Sequence, residues 1–402
     1  MLEYDVALQR LLDQISVVCE TETVVLDQAY GRVLAEGITS PINVPPKDNS
    51  AMDGYALSLG DMSLEDCWQV TATRLAGQAN DISLAEREAA RIMTGAEVPE
   101  GADTVIMQED IDRVGDQITL KDLQHKVGEN IRRAGDDIQQ GSVLLEQGCC
   151  LDASHLGLLA SVGLDRVTVY RKVKVALLST GDELLEPGEP LTPGRIYNSN
   201  QFFLKPMIEQ LGVEVVSVAK IVDDKAAIRE AFIDASKQAD FVITTGGVSV
   251  GDADFVKEIL DEQGQIDFWK VAIKPGKPFA CGPLNSAFLL GLPGNPVSAL
   301  VTFMLLGRYA LEKASGRPFK VLSMLPAVTA AALRKRPGRM DFQRASYRMN
   351  DQGQLVVTPF TSQSSGVLSS IAQSDCFIVL EKDQGRVEAG ESVRILPFRQ
   401  WL

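Results

Sequence analysis

Between residues 172 and 307 the chain alternates apolar runs, glycine-bearing loops and amphipathic stretches, and no other feature restricts its fold as strongly. "KVKVALLS", "EVVSVA", "FVITT" and the apolar start of "AFLLGLPGNPVSALVTF" read as strands, while residues 200–211, 224–237 and 253–262 read as helices. Buried strands alternating with helices predict a doubly wound, mostly parallel sheet covered on both faces. Ligands in such folds sit beyond the carboxyl ends of the strands. Four loops are expected there, facing one crevice: "STGDEL", "TTGGVSVGDAD", "IKPGKPF" and "GLPGNPVS".

The flanking segments have a different texture. Leu8, Leu11, Leu12 and Ile15 repeat at helical spacing, a second short helix is expected over "LDQAYGRVLAE" with Asp27 as its cap, and helical spacing returns between residues 151 and 163. From 38 to 137 short strands and turns predominate, so helices flank a β-rich insert. "SGRP" at 315–318 reads as a linker. Beyond it "DFQRASYRM", "QLVVTPF", "CFIVLEK" and "SVRILPF" predict a small all-β domain, with "MNDQGQ" as a tight turn.

Composition narrows the function. A chain of 402 residues calls for several domains. The longest apolar run, 297–307, is shorter than a membrane span and reads as a buried helix. "MLEYDVALQR" carries neither a basic segment nor an apolar signal core, which predicts a cytoplasmic protein. A net charge of -15 with no long basic stretch argues against nucleic acid or an anionic membrane as partner and favours a small-molecule ligand. The six cysteines form no C-x-x-C pair and are expected as buried reduced thiols. With only His125 and His155, neither in a stretch that looks like a site, histidine triads, histidine general bases and imidazole-rich zinc sites are not expected. Chemistry must rest on carboxylates, lysines, arginines, backbone amides and hard metal ions.

The loops fit that inventory. In "TTGGVSVGDADF" the glycines free backbone N–H groups to face an anion, Asp252 suits a helix cap, and Asp254 has no equally good structural task. A phosphate ester with Mg2+ satisfies both the amides and the acids. "STGDEL" brings Asp182 and Glu183 to the same edge. "KVAIKPGKP" places Lys270, Lys274 and Lys277 around a stiff turn, either as a solvated basic loop or as an oxyanion site. In "LPGNPVSAL", Asn295 as cap and Pro296 at the first helical position explain the segment structurally, yet the same helix start offers an anion its dipole and the Ser298 hydroxyl. Turn chemistry alone accounts for "PPKDNSAMDGYA", "TGAEVPEGADTVIMQED" and "GENIRRAGDDI".

Taken in order, "GRVLAE", "DNSAMDGYA", "RIMTGAEVPEGADTVIMQE", "GENIRRAGDDI", "STGDEL", "TTGGVSVGDADF", "AIKPGKPFA", "LPGNPVSAL" and "DFQR" resemble the molybdenum insertase family, to which bacterial MoeA and the gephyrin E domain belong. The resemblance implies a multidomain α/β plus β protein of four domains: a discontinuous helical linking domain (1–38 and 146–171), a β-rich insert (39–145), a central molybdopterin-adenylyltransferase-like α/β domain (172–316) and a C-terminal β-barrel-like domain (317–402). It implies a molybdopterin molybdotransferase that places molybdenum from molybdate on adenylylated molybdopterin, with Mg2+ and release of AMP. It further implies a homodimer with a shared cleft, with the molybdopterin adenylyltransferase and apo-molybdoenzymes as candidate protein partners.

Carried over by motif, Asp254, Asp223 and Glu183 would surround the metal and phosphates. Gly246, Gly247 and Ser249 would contact the nucleotide or phosphate part. Lys270, Lys274, Lys277, Pro293, Pro296, Ser298, Arg339, Arg344 and Ser365 would line the pterin and oxyanion site, while Asp53, Thr94, Arg132 and Asp137 would approach from the neighbouring subunit. Lys47 departs from the family pattern, which more often has an aromatic or apolar residue before "DNSAMDG". Two alternatives stand beside this reading, a non-enzymatic dimeric scaffold of the gephyrin E-domain type and a tungstate-preferring insertase.

Overall fold

The alternation after residue 172 folds into a six-stranded sheet: β1 (Lys174–Thr180), β2 (Glu214–Ile221), β3 (Phe241–Thr245), β4 (Asp267–Lys270), β5 (Pro278–Leu284) and β6 (Ala287–Leu292), in the order β2-β1-β3-β6-β5-β4. This computed structural model describes the whole chain except residues 61–65, 79–80, 247–258, 260–261, 263–264, 319–321 and 400–401. Neighbours among β2, β1, β3 and β6 run parallel, whereas β5 and β4 extend the sheet antiparallel. Alternate residues of β1 serve the two faces. Val175 and Leu177 join Leu204 and Ile208 of helix Asn200–Gln210, while Ala176 and Leu178 join Ile228 and Phe232 of helix Lys225–Gln238. Burial on both faces is why these strands read as continuous apolar runs. Asp224 caps its helix by accepting from the Ala227 N–H at 2.8 Å. The expected helix over 253–262 lies almost wholly outside the described residues.

The apolar run at 297–307 is a buried helical rod, as expected: Pro296–Thr302, a π-turn at Phe303–Gly307, then Arg308–Ala314. Pro296 takes the first helical position, but the Asn295 side chain makes no capping bond. Helix Tyr4–Asp13 packs on this rod, with Ala7, Leu11, Leu12 and Ile15 in the same core as Leu305 and Leu311.

The C-terminal strands β7 (Leu325–Thr329), β8 (Met340–Met349), β9 (Leu355–Pro359), β10 (Cys376–Leu380) and β11 (Ser392–Pro397) close into a barrel through the pairs β8–β9, β9–β7, β7–β11, β11–β10 and β10–β8. Closure removes exposed edges. β7 was not among the expected strands. The barrel shares a core with the central unit, since Phe342, Phe377, Leu396 and Phe398 cluster with Phe303, Leu306 and Tyr309. "SGRP" is correspondingly packed rather than a free linker, with Ser315 buried and Arg317 donating to the Gly31 carbonyl at 3.0 Å.

The insert holds a second six-stranded sheet around Tyr55, Leu57, Trp68, Ile106 and Ile118. Thr21–Val25 pairs antiparallel with Arg166–Tyr170, and Ile38–Thr39 with Val143–Leu145, around a core that includes Leu34, Leu151, Leu159 and Val169. Helix Ala153–Ser161 forms as expected. The helix expected over "LDQAYGRVLAE" does not: only a 3-10 turn, Leu26–Gln28, appears. Gly31 then turns the chain at φ +74, and Val33 and Leu34 bridge Cys150 and Val169 in strand fashion. The cysteines are all free, but only Cys281 and Cys376 are buried; Cys19 and Cys67 are exposed and Cys149 and Cys150 half-buried.

Candidate active site

The four parallel strands deliver their carboxyl ends to one edge of the sheet. After β1 and β2, two acidic loops lock together reciprocally: the Asp182 N–H donates to Asp223 Oδ2 at 3.3 Å and the Asp223 N–H to Asp182 Oδ1 at 3.1 Å. Each carboxylate keeps a second oxygen, and Asp182, Glu183 and Asp223 are all exposed. After β3, Gly246 runs at φ +91, where a Cβ would stand 3.0 Å from both the carbonyl and the hydroxyl of Thr180, so only glycine brings this turn so close to β1. A Cβ on Gly294, after β6, would lie 3.7 Å from the Gly246 Cα. Asn200 fixes the β6 loop by donating to the Gly294 carbonyl at 2.8 Å.

The contacts continue into the basic loops. Gly276, at φ +105 in the Lys274–Lys277 turn, has Thr302 and the Ser298 carbonyl at its Cβ position. Lys274 Nζ donates to Asp341 Oδ2 at 3.0 Å, with the lysine side chain 45% exposed and the aspartate 4%. Ile273–Lys274 pairs alongside Met340 and Asp341, which joins this turn to the barrel. Lys335, absent from the sequence reading, is buried beside the same group. Its Nζ donates to the carbonyls of Arg336 and Lys382, and burial first, opposed by nearby Asp341 and reinforced by Lys274 and Arg339, lowers its pKa. Ser365 meets the helix start through its carbonyl, which accepts from the Val297 N–H at 3.1 Å. Ser298 and Pro293 are buried, Pro296 and Arg339 half-buried, Lys270 and Lys277 exposed.

Arg344 is placed differently from expectation. It is 1% exposed, and its guanidinium donates to Ser370 Oγ and to the carbonyls of Ser362 and Ser364, while burial lowers its pKa to about 10. It organises the Ser365 loop rather than facing an oxyanion. Asp254, Gly247 and Ser249 lie outside the described residues.

The three insert loops that turn chemistry left undecoded come together. Gly95 and Ala96 exchange backbone bonds with Ser50, the Ala51 N–H donates to the Asn130 carbonyl, and Ile131–Arg132 pairs with Asn49–Ser50. Asp53 Oδ1 accepts from both the N–H and the hydroxyl of Thr94 at 2.8 Å. These two bonds, in that order, hold the Asp53 carboxyl below its ordinary range. Arg132 and Asp137 are exposed on the same loop set. Among the described residues no hydrogen bond or ion pair links Asp53, Thr94, Arg132 or Asp137 to the central and barrel site residues.

Glycine-built turns and acids thus stand at the ends of the parallel strands of an α/β domain with a lysine-bearing loop beside them, and this domain and both flanking parts of the chain match known families. Residues 176–313 match the probable molybdopterin binding domain, 2–163 the MoeA N-terminal region (domain I and II) and 326–398 the MoeA C-terminal region (domain IV). The chain is 48% identical over 404 residues to the molybdopterin molybdenumtransferase of Haemophilus influenzae, covering 100% of each. It is 35% identical over 392 residues to that of Bacillus subtilis, covering 95% of this chain and 90% of the other. The molybdopterin biosynthesis MoeA protein of Pyrococcus horikoshii OT3 superposes with a TM-score of 0.84 at 29% identity, over 99% of this chain and 100% of that one. The chain therefore belongs to the molybdopterin molybdenumtransferase family and is an enzyme of that family. No helix among the described residues is long and apolar enough to cross a membrane.

Proposed function

We propose that this chain carries out the last step of molybdenum cofactor assembly in the cytoplasm, moving molybdenum from molybdate onto adenylylated molybdopterin with release of AMP. One observation carries the reading: Asp182 and Asp223 lock the loops after β1 and β2, the Gly246 turn closes on Thr180 and Gly294, and the helix that begins at Pro296 meets the Gly276 turn through Ser298 and Thr302 beside the Lys274–Asp341 pair. Acidic turns and a basic turn at one end of the sheet suit a substrate containing both a phosphate bridge and an incoming oxyanion.

The main-chain turns at Gly246 and Gly294 receive the phosphate part, because glycine lets the backbone approach it. Lys274, held by Asp341 yet half exposed, offers a fixed positive charge to molybdate, and Lys277 a second. Hard oxygen donors suit Mg2+, which takes one or two carboxylates and completes its shell with water and substrate phosphates. Glu183 and Asp223 on the two locked loops fit that pattern, and with Asp254 they would hold the ion. When bound, it supplies positive charge to the phosphate oxygens.

Asp53, Thr94, Arg132 and Asp137 form a second, separate group, and a homodimer in which the insert of one subunit faces the crevice of the other gives that group a role. Two measurements test the reading. Purified protein with adenylylated molybdopterin, Mg2+ and molybdate should release AMP and activate an apo-molybdoenzyme, whereas tungstate in place of molybdate reports oxyanion preference. Mixing inactive Asp53→Ala and Asp254→Ala subunits should restore activity through mixed dimers. No AMP release from the complete mixture removes the proposed reaction, and no recovery after confirmed subunit exchange removes the shared crevice.

A further inference from the structure

Charge is spread unevenly over this acidic chain. Although the net charge is -15, four of the six residues at 334–339, "RKRPGR", are basic. Leu333 and Lys335 are buried while Arg334 and Arg336 are exposed, so the segment alternates between core and solvent and turns both arginines outward. It is pinned from beneath. Lys335 Nζ donates to the Arg336 carbonyl at 3.0 Å and to the Lys382 carbonyl at 3.3 Å, Gln343 Nε2 donates to the Arg334 carbonyl at 3.0 Å, and the Gly338 N–H donates to the Lys382 carbonyl at 2.8 Å. The segment runs directly into Met340 and Asp341, which pair alongside Ile273 and Lys274. It therefore stands beside the Lys274–Lys277 turn. Of the acids around it, Asp341 is buried and taken by Lys274, Glu3 is taken by Lys382, and Asp383 adds one counter-charge near Lys335. Among the described residues the side chains of Arg334, Arg336 and Arg339 enter no ion pair.

We propose that residues 334–339 form a capture arm for small dianionic oxyanions, in which Arg334 and Arg336 draw molybdate from solution toward the Lys274–Lys277 turn; this rests on the oxyanion reading of that turn. A dianion approaching a chain of net charge -15 is repelled at long range, and a cluster of unpaired cations reverses the field locally. Exposed charges act over about 10 Å at about 0.1 M salt. The two arginines therefore raise the anion's local concentration without having to touch it once bound. An acidic protein partner fits the arm less well, because a protein interface needs apolar anchors beside its charges. Among the described residues no large hydrophobic side chain is exposed between Leu325 and Met349. Free anions need none.

The test compares the full-length native chain with the double variants Arg334→Gln/Arg336→Gln and Arg334→Lys/Arg336→Lys. Molybdate-dependent AMP release is titrated at saturating adenylylated molybdopterin over a range of ionic strengths. The Arg→Gln pair should lose about five-fold in kcat/KM for molybdate at about 0.02 M ionic strength with kcat unchanged, and the gap should close to under about two-fold at about 1 M, where the screening length falls to about 3 Å. The Arg→Lys pair keeps both charges and should match the native chain. Equilibrium dialysis of molybdate against each protein alone should show the same salt-dependent weakening without turnover. A loss of equal size at low and high salt, a loss shared by the Arg→Lys pair, a change confined to the pterin requirement, or no loss at low salt overturns the arm. Absence of molybdate-dependent turnover in the native chain would instead remove the proposed reaction. Dialysis would then decide the arm, which falls if the native chain and the Arg→Gln pair show no salt-dependent difference.

Discussion

Gly276→Ala should be the most informative single change at the crevice. Alanine would have to adopt φ +105, and its Cβ would stand under 3.0 Å from Thr302 Oγ1 and 3.3 Å from Ile273 Cδ1. The left-handed backbone costs about 1–2 kcal/mol for an L-residue, and overpacking a filled site adds about 1–3 kcal/mol. The sum, about 2–5 kcal/mol, is a large part of a typical folding free energy of about 5–15 kcal/mol. Thr302 is fully buried and its hydroxyl has no partner among the described residues, so Thr302→Ala leaves no bonding group stranded. In the double variant the steric part should be recovered and the backbone part should remain, a coupling of about 1–3 kcal/mol. Urea midpoints of the four proteins give the cycle directly, and the molybdate requirement shows how far the Lys274–Lys277 turn has moved. A Gly276→Ala cost under about 1 kcal/mol, or no recovery on removing Thr302 Oγ1, would refute the steric argument.

Further outcomes follow from the same geometry. Arg344→Met should destabilise the chain by about 1–3 kcal/mol, because the change leaves the Ser370 hydroxyl and two buried carbonyls without their donor; an unchanged urea midpoint would show those bonds to be dispensable. Thr94→Ala removes one of the two bonds holding the Asp53 carboxyl down, so its pKa should rise part of the way to normal in carboxyl-carbon NMR titration. The sign follows from linkage: the stabilisation that Thr94 gives Asp53 is present above the ordinary carboxylate range and fades as pH falls through the lowered folded value. Lys274→Ala and Lys277→Ala should each raise the molybdate requirement about ten- to hundred-fold with pterin affinity less affected, since a charge-assisted bond contributes about 1.5–3 kcal/mol. Unchanged molybdate titrations in both would move the oxyanion elsewhere.

The parallel strands were legible because both faces of β1, β3 and β6 are buried, which leaves an apolar run that no other arrangement explains. The β5–β4 extension was not, because Pro278 and Pro283 interrupt the pattern and the pairing is set by neighbours rather than by alternation. Helical spacing identified Tyr4–Asp13, and the apolar run at 297–307 read as a buried helix, but not that the two pack together, for periodicity reports a face and not its partner. The acidic and basic turns could be read from residue type, whereas the convergence of the insert loops depends on bonds such as Ala51 to Asn130 between segments far apart in the chain. Arg344 and Lys335 carry the same charge in sequence, yet barrel closure buries both and commits them to carbonyls. His155 looked unremarkable because its task, accepting the Asp152 N–H in a reciprocal helix cap, follows from local geometry and not from a motif.

The single core formed by Phe303, Leu306 and Tyr309 with Phe342, Phe377 and Phe398 bears on how the chain could be cut or recombined. Severed at the end of helix Arg308–Ala314, the amino-terminal fragment would carry a bare aromatic face and tend to aggregate rather than persist as a smaller catalyst. A free-standing version of the central unit would need polar replacements along that rod before it stayed soluble, so the barrel acts as a permanent cover whose loss is repaired only by resurfacing what lies beneath.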